Sequence, residues 1–111
     1  MYRGTDATLT FTLPFDCSKV SALFITFAQK LNPRATDSTV MFEKTLTGCR
    51  LEGTKVYCML TEEDTLKLDD KCCVEIQMRG ICDGKKFASN ICQKNVGRIL
   101  KKGPLPNEVT P

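Results

Sequence analysis

The stretch Cys72-Cys73-Val74-Glu75-Ile76-Gln77-Met78-Arg79 repeats a two-residue pattern, with Cys72, Val74, Ile76 and Met78 alternating against the other four residues. A period of two is typical of a β-strand that buries one face. The dipeptide Asp83-Gly84 follows, and this turn signal predicts a hairpin. The chain then continues in a second extended segment over residues 87–92, and Val96 through Leu100 predict a last short strand. The C-terminal half therefore predicts consecutive antiparallel strands.

The residues before this stretch follow the same pattern. Four apolar residues between Ala7 and Leu13 alternate with threonines, which predicts a strand with one buried face. Residues 20–29 are apolar on both faces, which is typical of a central strand. A strand from Val40 to Leu46 comes next. A hairpin around Glu52-Gly53 then joins a short segment to a strand over residues 56–60.

One segment departs from the alternation. Thr61 precedes Glu62-Glu63-Asp64, and a capping threonine before three acids favours a helix N-terminus. The apolar period ends at Leu68, so we expect one short helical turn near residues 62–67. Six to eight short strands with this single turn predict an all-β fold, an antiparallel immunoglobulin-like β-sandwich. Residues 1–102 form the predicted domain, and residues 103–111 a flexible, proline-rich C-terminal tail.

The composition excludes several classes of enzyme. The chain has 111 residues, enough for one domain, and it contains no histidine. Ser-His-Asp and Cys-His catalysis and Cys2His2 zinc sites are therefore unavailable to it. Its clustered acids lack the sugar-stacking aromatics of a glycosidase cleft and the spacing of a calcium loop. We predict that the protein is not an enzyme and that it binds no cofactor and no metal.

The cellular compartment determines whether the cysteines are expected as thiols or as disulfides. No apolar run reaches the length of a membrane span, and no apolar segment of a secretory signal follows Met1. We expect synthesis in the cytoplasm without a signal peptide, and no membrane partner. In a reducing compartment the seven cysteines are expected to stay thiols, with disulfides or a metal site as the less favoured alternatives. Cys58 lies in a strand pattern, as does either Cys72 or Cys73, where a buried thiol acts as a small apolar side chain.

The charges are unevenly placed although the net charge is only +3. Six acids lie between Glu62 and Glu75, and six bases without an acid lie between Lys85 and Lys102. Solvated faces explain such runs most simply. The alternative is a charge dipole that steers head-to-tail packing against a copy or a partner. Nucleic acid is not an expected partner, because the basic stretch has no aromatic residues for base stacking and no recognised binding motif. The candidate interaction surface consists of Glu62, Asp69, Asp70, Lys94, Arg98 and Lys101.

Several phrases, taken in order, resemble a family of short β-rich proteins encoded by phages and prophages of gut Gram-positive bacteria. The resemblance runs from Tyr2 to about Lys102. The phrases are Tyr2-Arg3-Gly4-Thr5, Phe11-Thr12-Leu13-Pro14-Phe15, Ile25-Thr26-Phe27-Ala28-Gln29, Leu60-Thr61-Glu62-Glu63-Asp64-Thr65-Leu66, Val74-Glu75-Ile76-Gln77-Met78-Arg79, and Asp83-Gly84 with Ala88-Ser89-Asn90-Ile91. The cysteine content departs from the family, in which we expect more valine, alanine and threonine.

This resemblance implies a phage tail or baseplate component, similar to the N-terminal domain of baseplate upper proteins. The expected partners are other virion or tail proteins or copies of the chain itself, and the expected location is the virion. The family supplies no catalytic residues to transfer. The alternative is a β-sandwich module that binds a glycan or another host-surface ligand. That alternative needs exposed aromatics, for which Tyr2, Tyr57 and Phe87 are the candidates.

Overall fold

A computed structural model describes residues 4–32, 34 and 36–97. This part of the chain forms eight strands, one short α-helix and two 3-10 turns, at Cys17–Lys19 and Leu46–Gly48. The strands are β1 (Ala7–Thr12), β2 (Val20–Gln29), β3 (Thr39–Thr45), β4 (Cys49–Glu52), β5 (Lys55–Leu60), β6 (Val74–Cys82), β7 (Lys85–Ala88) and β8 (Cys92–Lys94), and the helix is α1 (Glu62–Leu66). No helix in these ranges is long and apolar enough to cross a bilayer.

The strands form two antiparallel sheets. One has the order β1-β5-β4, and the other has the order β3-β2-β6-β7 with β8 also paired to β6. These orders match strands B-E-D and C′-C-F-G of an immunoglobulin domain, and α1 occupies the E–F connection. The predicted all-β immunoglobulin-like sandwich, with its helical turn near residues 62–67, is therefore confirmed.

The core lies between the sheets, where alternate residues of the strands meet. Ile25 and Phe27 of β2 face inward beside Met78 and Ile76 of β6, and all four are almost fully buried. The Phe27 ring stacks on that of Phe42 in β3, with 4.4 Å between ring centroids. The strand β2 lies between β3 and β6, so the central strand predicted over residues 20–29 is confirmed with the same bounds.

Both predicted hairpins are present. In the β6–β7 turn, Asp83 has φ 52° and Gly84 has φ 76°, the paired positive values that a type I′ turn needs. The β4–β5 turn uses Gly53, with φ 62°. All seven cysteines are free thiols, and Cys58 lies in the core as expected for a small apolar side chain.

Two predicted strand boundaries are wrong. The strand expected from Cys72 begins at Val74, because the Gln29 side chain donates to the Cys72 carbonyl (3.1 Å) and holds that residue in a turn. The strand expected over residues 87–92 is broken between β7 and β8. There the Ser89 hydroxyl accepts from the Met78 backbone N–H (2.9 Å), so a side chain replaces one ladder bond.

Some predictions lie outside the described residues. The last strand expected over Val96–Leu100 is described only to residue 97, where Val96 is buried against the core. The C-terminal part of the predicted domain and the expected tail over residues 103–111 lie wholly outside the described ranges.

Candidate interaction surfaces

The acidic segment begins with a capping box at α1. The Thr61 hydroxyl accepts from the Asp64 backbone N–H (3.3 Å), and the Asp64 carboxylate accepts from the Thr61 N–H (3.0 Å). The Glu62 N–H donates to the Asp6 carboxylate at 3.0 Å. Three N–H groups at this end therefore have side-chain acceptors, which explains why a helix of only five residues forms.

Thr61→Ala is expected to lower the free energy of unfolding by about 0.5–2 kcal/mol, the usual value of an N-cap. Urea denaturation followed by circular dichroism measures this loss. Thr61→Ser keeps the acceptor oxygen and should retain most of the stability. Equal losses in both variants would contradict a capping role.

Asp64 also forms an ion pair across the sandwich. Its carboxylate lies 2.7 Å from the Lys44 ammonium of β3, and the two side chains are 13% and 19% exposed. Burial pushes the pKa of Asp64 up, but the hydrogen bonds from Lys44 and Thr61 outweigh it and leave the pKa below its ordinary value. The ion pair therefore connects α1 to the sheet that contains β3. The Asp64 carboxylate is already engaged within the protein and does not contribute to binding another protein.

This ion pair predicts a pH dependence of stability. Because the pKa of Asp64 is lower in the folded protein, its contribution is complete above the ordinary carboxyl pKa of 3.8 and is lost as pH falls through the lower folded value. Asp64→Asn is expected to cost about 1 kcal/mol at pH 7. The difference from the wild type should shrink in urea titrations at about pH 3. A constant difference between the two pH values would contradict the lowered pKa.

The two other predicted acidic residues lie in the loop after α1. The buried Gln29 side chain holds this loop, donating to the Asp69 carbonyl and accepting from the Asp69 N–H, both at 2.8 Å. The Asp69 carboxylate accepts from the Lys71 N–H at 2.8 Å. Asp69 and Asp70 are both half-buried, so this part of the predicted acidic surface is fixed in position and only partly open to solvent.

The predicted basic residues are only partly described. Lys94 is exposed at the end of β8, where its strand partner is Val74, whereas Arg98 and Lys101 lie outside the described residues. Because β8 runs antiparallel to β6, it ends near the acidic loop that precedes β6. Asp70 and Asn95 accordingly line one depression of about 220 Å³. The end of β8 and the acidic loop are therefore neighbours within one molecule.

Two other bases of this stretch lie at the opposite end of β6. Lys85 and Lys86 pair with Cys82 and Ile81, far along the strand from Val74. The described lysines of the basic stretch thus lie on β7 and β8, which pair with opposite ends of β6, and they are exposed. Exposed lysines on short strands are a common protection of sheet edges against pairing with another chain.

Sequence reasoning missed a surface on the outer face of the β3-β2-β6 sheet. Alternate residues of β2 point away from the core, so Phe24 is 40% exposed, and nearby Val40 and Ile91 are 60% and 57% exposed. A groove of about 300 Å³, here called the outer groove, crosses this face. It is lined by Thr26, Ala28, Ser38, Val40, Glu43, Glu75, Gln77, Arg79 and Ile91. The apolar residues on both faces of residues 20–29 were the available signal.

The polar groups of the outer groove already have partners within the protein. Glu43 accepts from the Thr26 hydroxyl at 2.8 Å and lies 3.5 Å from the Arg79 guanidinium. The Ser38 hydroxyl donates to Glu75 on the opposite wall. Glu43 therefore has a charged partner and Glu75 a hydrogen bond, so a partner that covers the groove leaves fewer unsatisfied groups than one that covers isolated charges.

The aromatic candidates for glycan binding are largely occupied. The Arg50 guanidinium lies over the Tyr57 ring, 4.6 Å from its centroid. The Phe87 ring packs edge-to-face against Phe15, with 5.1 Å between centroids. Tyr2 lies outside the described residues. Within the described ranges, no open pair of these rings forms a sugar platform.

Comparisons with known proteins add no family. A scan of protein-family models and searches of curated proteins and of solved structures find no significant match to this chain. Among the described residues, no three cysteine, aspartate or glutamate side chains are grouped so that they could hold a metal ion.

Proposed function

We propose that this protein is a non-enzymatic interaction module, a phage or prophage tail or baseplate component that binds a neighbouring virion protein or a second copy of itself. The observation that carries the proposal is the outer groove with the exposed apolar side chains of Val40 and Ile91 in its walls. Exposed apolar side chains that line a groove are a typical feature of a protein-binding surface.

The chemistry of the outer face favours a protein partner. Apolar side chains line part of the outer groove, and the charge of Glu43 is paired with that of Arg79. Protein interfaces likewise have few unpaired charges at their centre and polar groups at their rim. The resemblance of the ordered phrases to short prophage proteins is the basis for the proposed tail or baseplate context, with synthesis in the cytoplasm and a final location in the virion.

The test is self-association and pairwise binding of the purified chain. Static light scattering after size exclusion, up to about millimolar concentration, measures the mass of the chain alone and mixed with proteins encoded by adjacent tail genes. Val40→Lys on the outer groove should weaken either association at least tenfold. Met59→Lys is the matched control, because Met59 is 50% exposed on the other sheet and should have no effect.

The salt dependence of association distinguishes binding through the outer groove from binding through the predicted charged surface. Association through Glu62, Asp69, Asp70 and Lys94 should weaken as salt rises from about 0.05 to about 0.5 M, and Lys94→Glu should disrupt it. Association through the outer groove should change little with salt. A chain that stays monomeric and binds none of these proteins, or an equal effect of Val40→Lys and Met59→Lys, would contradict binding through the outer groove.

A further inference from the structure

Two cysteines face each other across the β4–β5 hairpin. Cys49 and Cys58 are direct partners in the antiparallel register, so their side chains lie on the same face of the sheet. Cys58 is fully buried, whereas Cys49 is half-buried at the start of an edge strand. The two thiols are close enough for each to shift the pKa of the other. Among the described strand pairings, this is the one in which cysteine lies opposite cysteine.

Strand pairing already supplies the spacing that a disulfide needs. Directly opposed residues of antiparallel strands have Cα atoms about 4.5 or 5.5 Å apart. Disulfides span Cα separations of about 4.4–6.8 Å. A bond between Cys49 and Cys58 therefore requires side-chain rotation and no rearrangement of the backbone.

The two thiols differ in reactivity. The hydrogen bond from Cys58 lowers the pKa of Cys49 despite partial burial, and the Lys44 ammonium adds to this effect. The same hydrogen bond, together with burial, raises the pKa of Cys58. The thiolate is the nucleophile in thiol–disulfide exchange, so Cys49 attacks first and Cys58 completes the bond.

We propose that Cys49 and Cys58 form a dithiol site that reacts with low-molecular-weight disulfides and closes into an intrachain disulfide. The Cys49 thiolate attacks one sulfur of the small disulfide, forming a mixed disulfide and releasing one small thiolate. Cys58 then loses its proton and attacks the Cys49 sulfur, releasing the second small thiolate. The two protein thiols are oxidised by two electrons, and one small disulfide is reduced to two small thiols.

Cys17 and Cys72 are less suited to this reaction. Cys17 is buried, and burial, followed by the nearby Asp16 and Cys82, raises the pKa of its thiol. Cys72 and Cys73 are adjacent in the chain, and the pKa of Cys72 is raised by burial and by Asp69. Cys49 thus combines partial exposure, a lowered pKa and a partner already in position. This chemistry does not depend on whether the protein is a tail component.

Oxidised glutathione is the probe, applied to the full reduced chain at about pH 8, where the lowered pKa makes Cys49 more ionised than an ordinary cysteine. After denaturation, the remaining thiols are blocked with N-ethylmaleimide and the chain is cut with trypsin. Cleavage after Lys44, Arg50, Lys55 and Lys67 yields peptides 45–50 and 56–67, each with one cysteine. We expect these two peptides to appear joined, and the count of free thiols to fall by two from the initial seven.

Thermal unfolding gives a second readout. The bond closes a short loop and joins the edge strand β4 to β5, so the oxidised chain should unfold at a temperature higher by about 5 °C or more. Reduction with dithiothreitol should reverse the shift.

Variants in which one cysteine is replaced by serine test the order of attack. Cys58→Ser should stop the reaction at a glutathione adduct on Cys49, whereas Cys49→Ser should leave Cys58 unmodified. Cys92→Ser is the control, since Cys92 is also half-buried but lies in the other sheet, and it should still give the joined peptides. Cys58→Ser alters the core and could destabilise the protein. The peptide map of the oxidised wild-type chain therefore tests the Cys49–Cys58 bond without relying on this variant. Full alkylation of both cysteines after oxidation, or joined peptides that contain only the other cysteines, would overturn the proposal.

Discussion

Replacing Gly80 with alanine is expected to lower the free energy of unfolding by about 2–3 kcal/mol. Gly80 is buried in β6, between Leu23 of β2 and Phe87 of β7. A β-carbon here would overlap the Ala22 carbonyl oxygen and lie 2.8 Å from the Phe87 ring. The Phe87 ring is itself packed against Phe15. Neither this ring nor the Ala22 carbonyl can therefore move without disturbing the packing around β6.

Gly48→Ala is the matched control for this substitution. At Gly48 an added β-carbon meets only the Lys44 side chain at 3.5 Å, an ordinary van der Waals contact. We expect this change to be neutral or to stabilise the protein by less than about 1 kcal/mol. Urea denaturation of both variants measures the difference. Equal stabilities would contradict the close approach of β2 and Phe87 to Gly80.

Local pattern was sufficient to predict the strands and their class. Alternation identified β1 and β6, and apolar residues on both faces identified β2 as central, because these signals depend only on which side chains face the core. Asp83-Gly84 located the β6–β7 hairpin because few residue pairs tolerate two positive φ angles. The broken strand at Ser89 was not predictable from period alone, since a side-chain bond to Met78 ends the pairing.

The candidate surfaces depend on contacts between distant parts of the chain, which pattern does not reveal. Asp64 looked like one of a run of solvated acids, yet it pairs with Lys44, twenty residues earlier. Asp70 lies near the end of β8 only because β8 returns along β6. Likewise, Cys49 and Cys58 become partners only in the register that the Gly53 turn imposes.

Gln29→Glu is expected to lower the free energy of unfolding at pH 7 by at least ~3 kcal/mol. Gln29 is fully buried, and its amide nitrogen donates to the carbonyls of Asp69 (2.8 Å) and Cys72 (3.1 Å). A carboxylate there would face two carbonyl oxygens without a proton to donate, in a site that excludes water. The acidic loop that Gln29 holds should loosen as well, seen as faster amide hydrogen exchange at Asp69 and its neighbours.

Gln77→Glu provides the matched control for the same chemical change. Gln77 is half-buried in the outer groove, where its amide donates to the Ser89 carbonyl (3.1 Å) and Arg79 lines the same groove. A new carboxylate in this groove, which is partly open to solvent, should cost less than about 1 kcal/mol. The loss in Gln29→Glu should also shrink toward about pH 4, because burial favours the protonated carboxyl, which can donate one hydrogen bond. Equal losses in the two variants at pH 7, or a loss in Gln29→Glu that is independent of pH, would show that Gln29 does not anchor this loop through its amide.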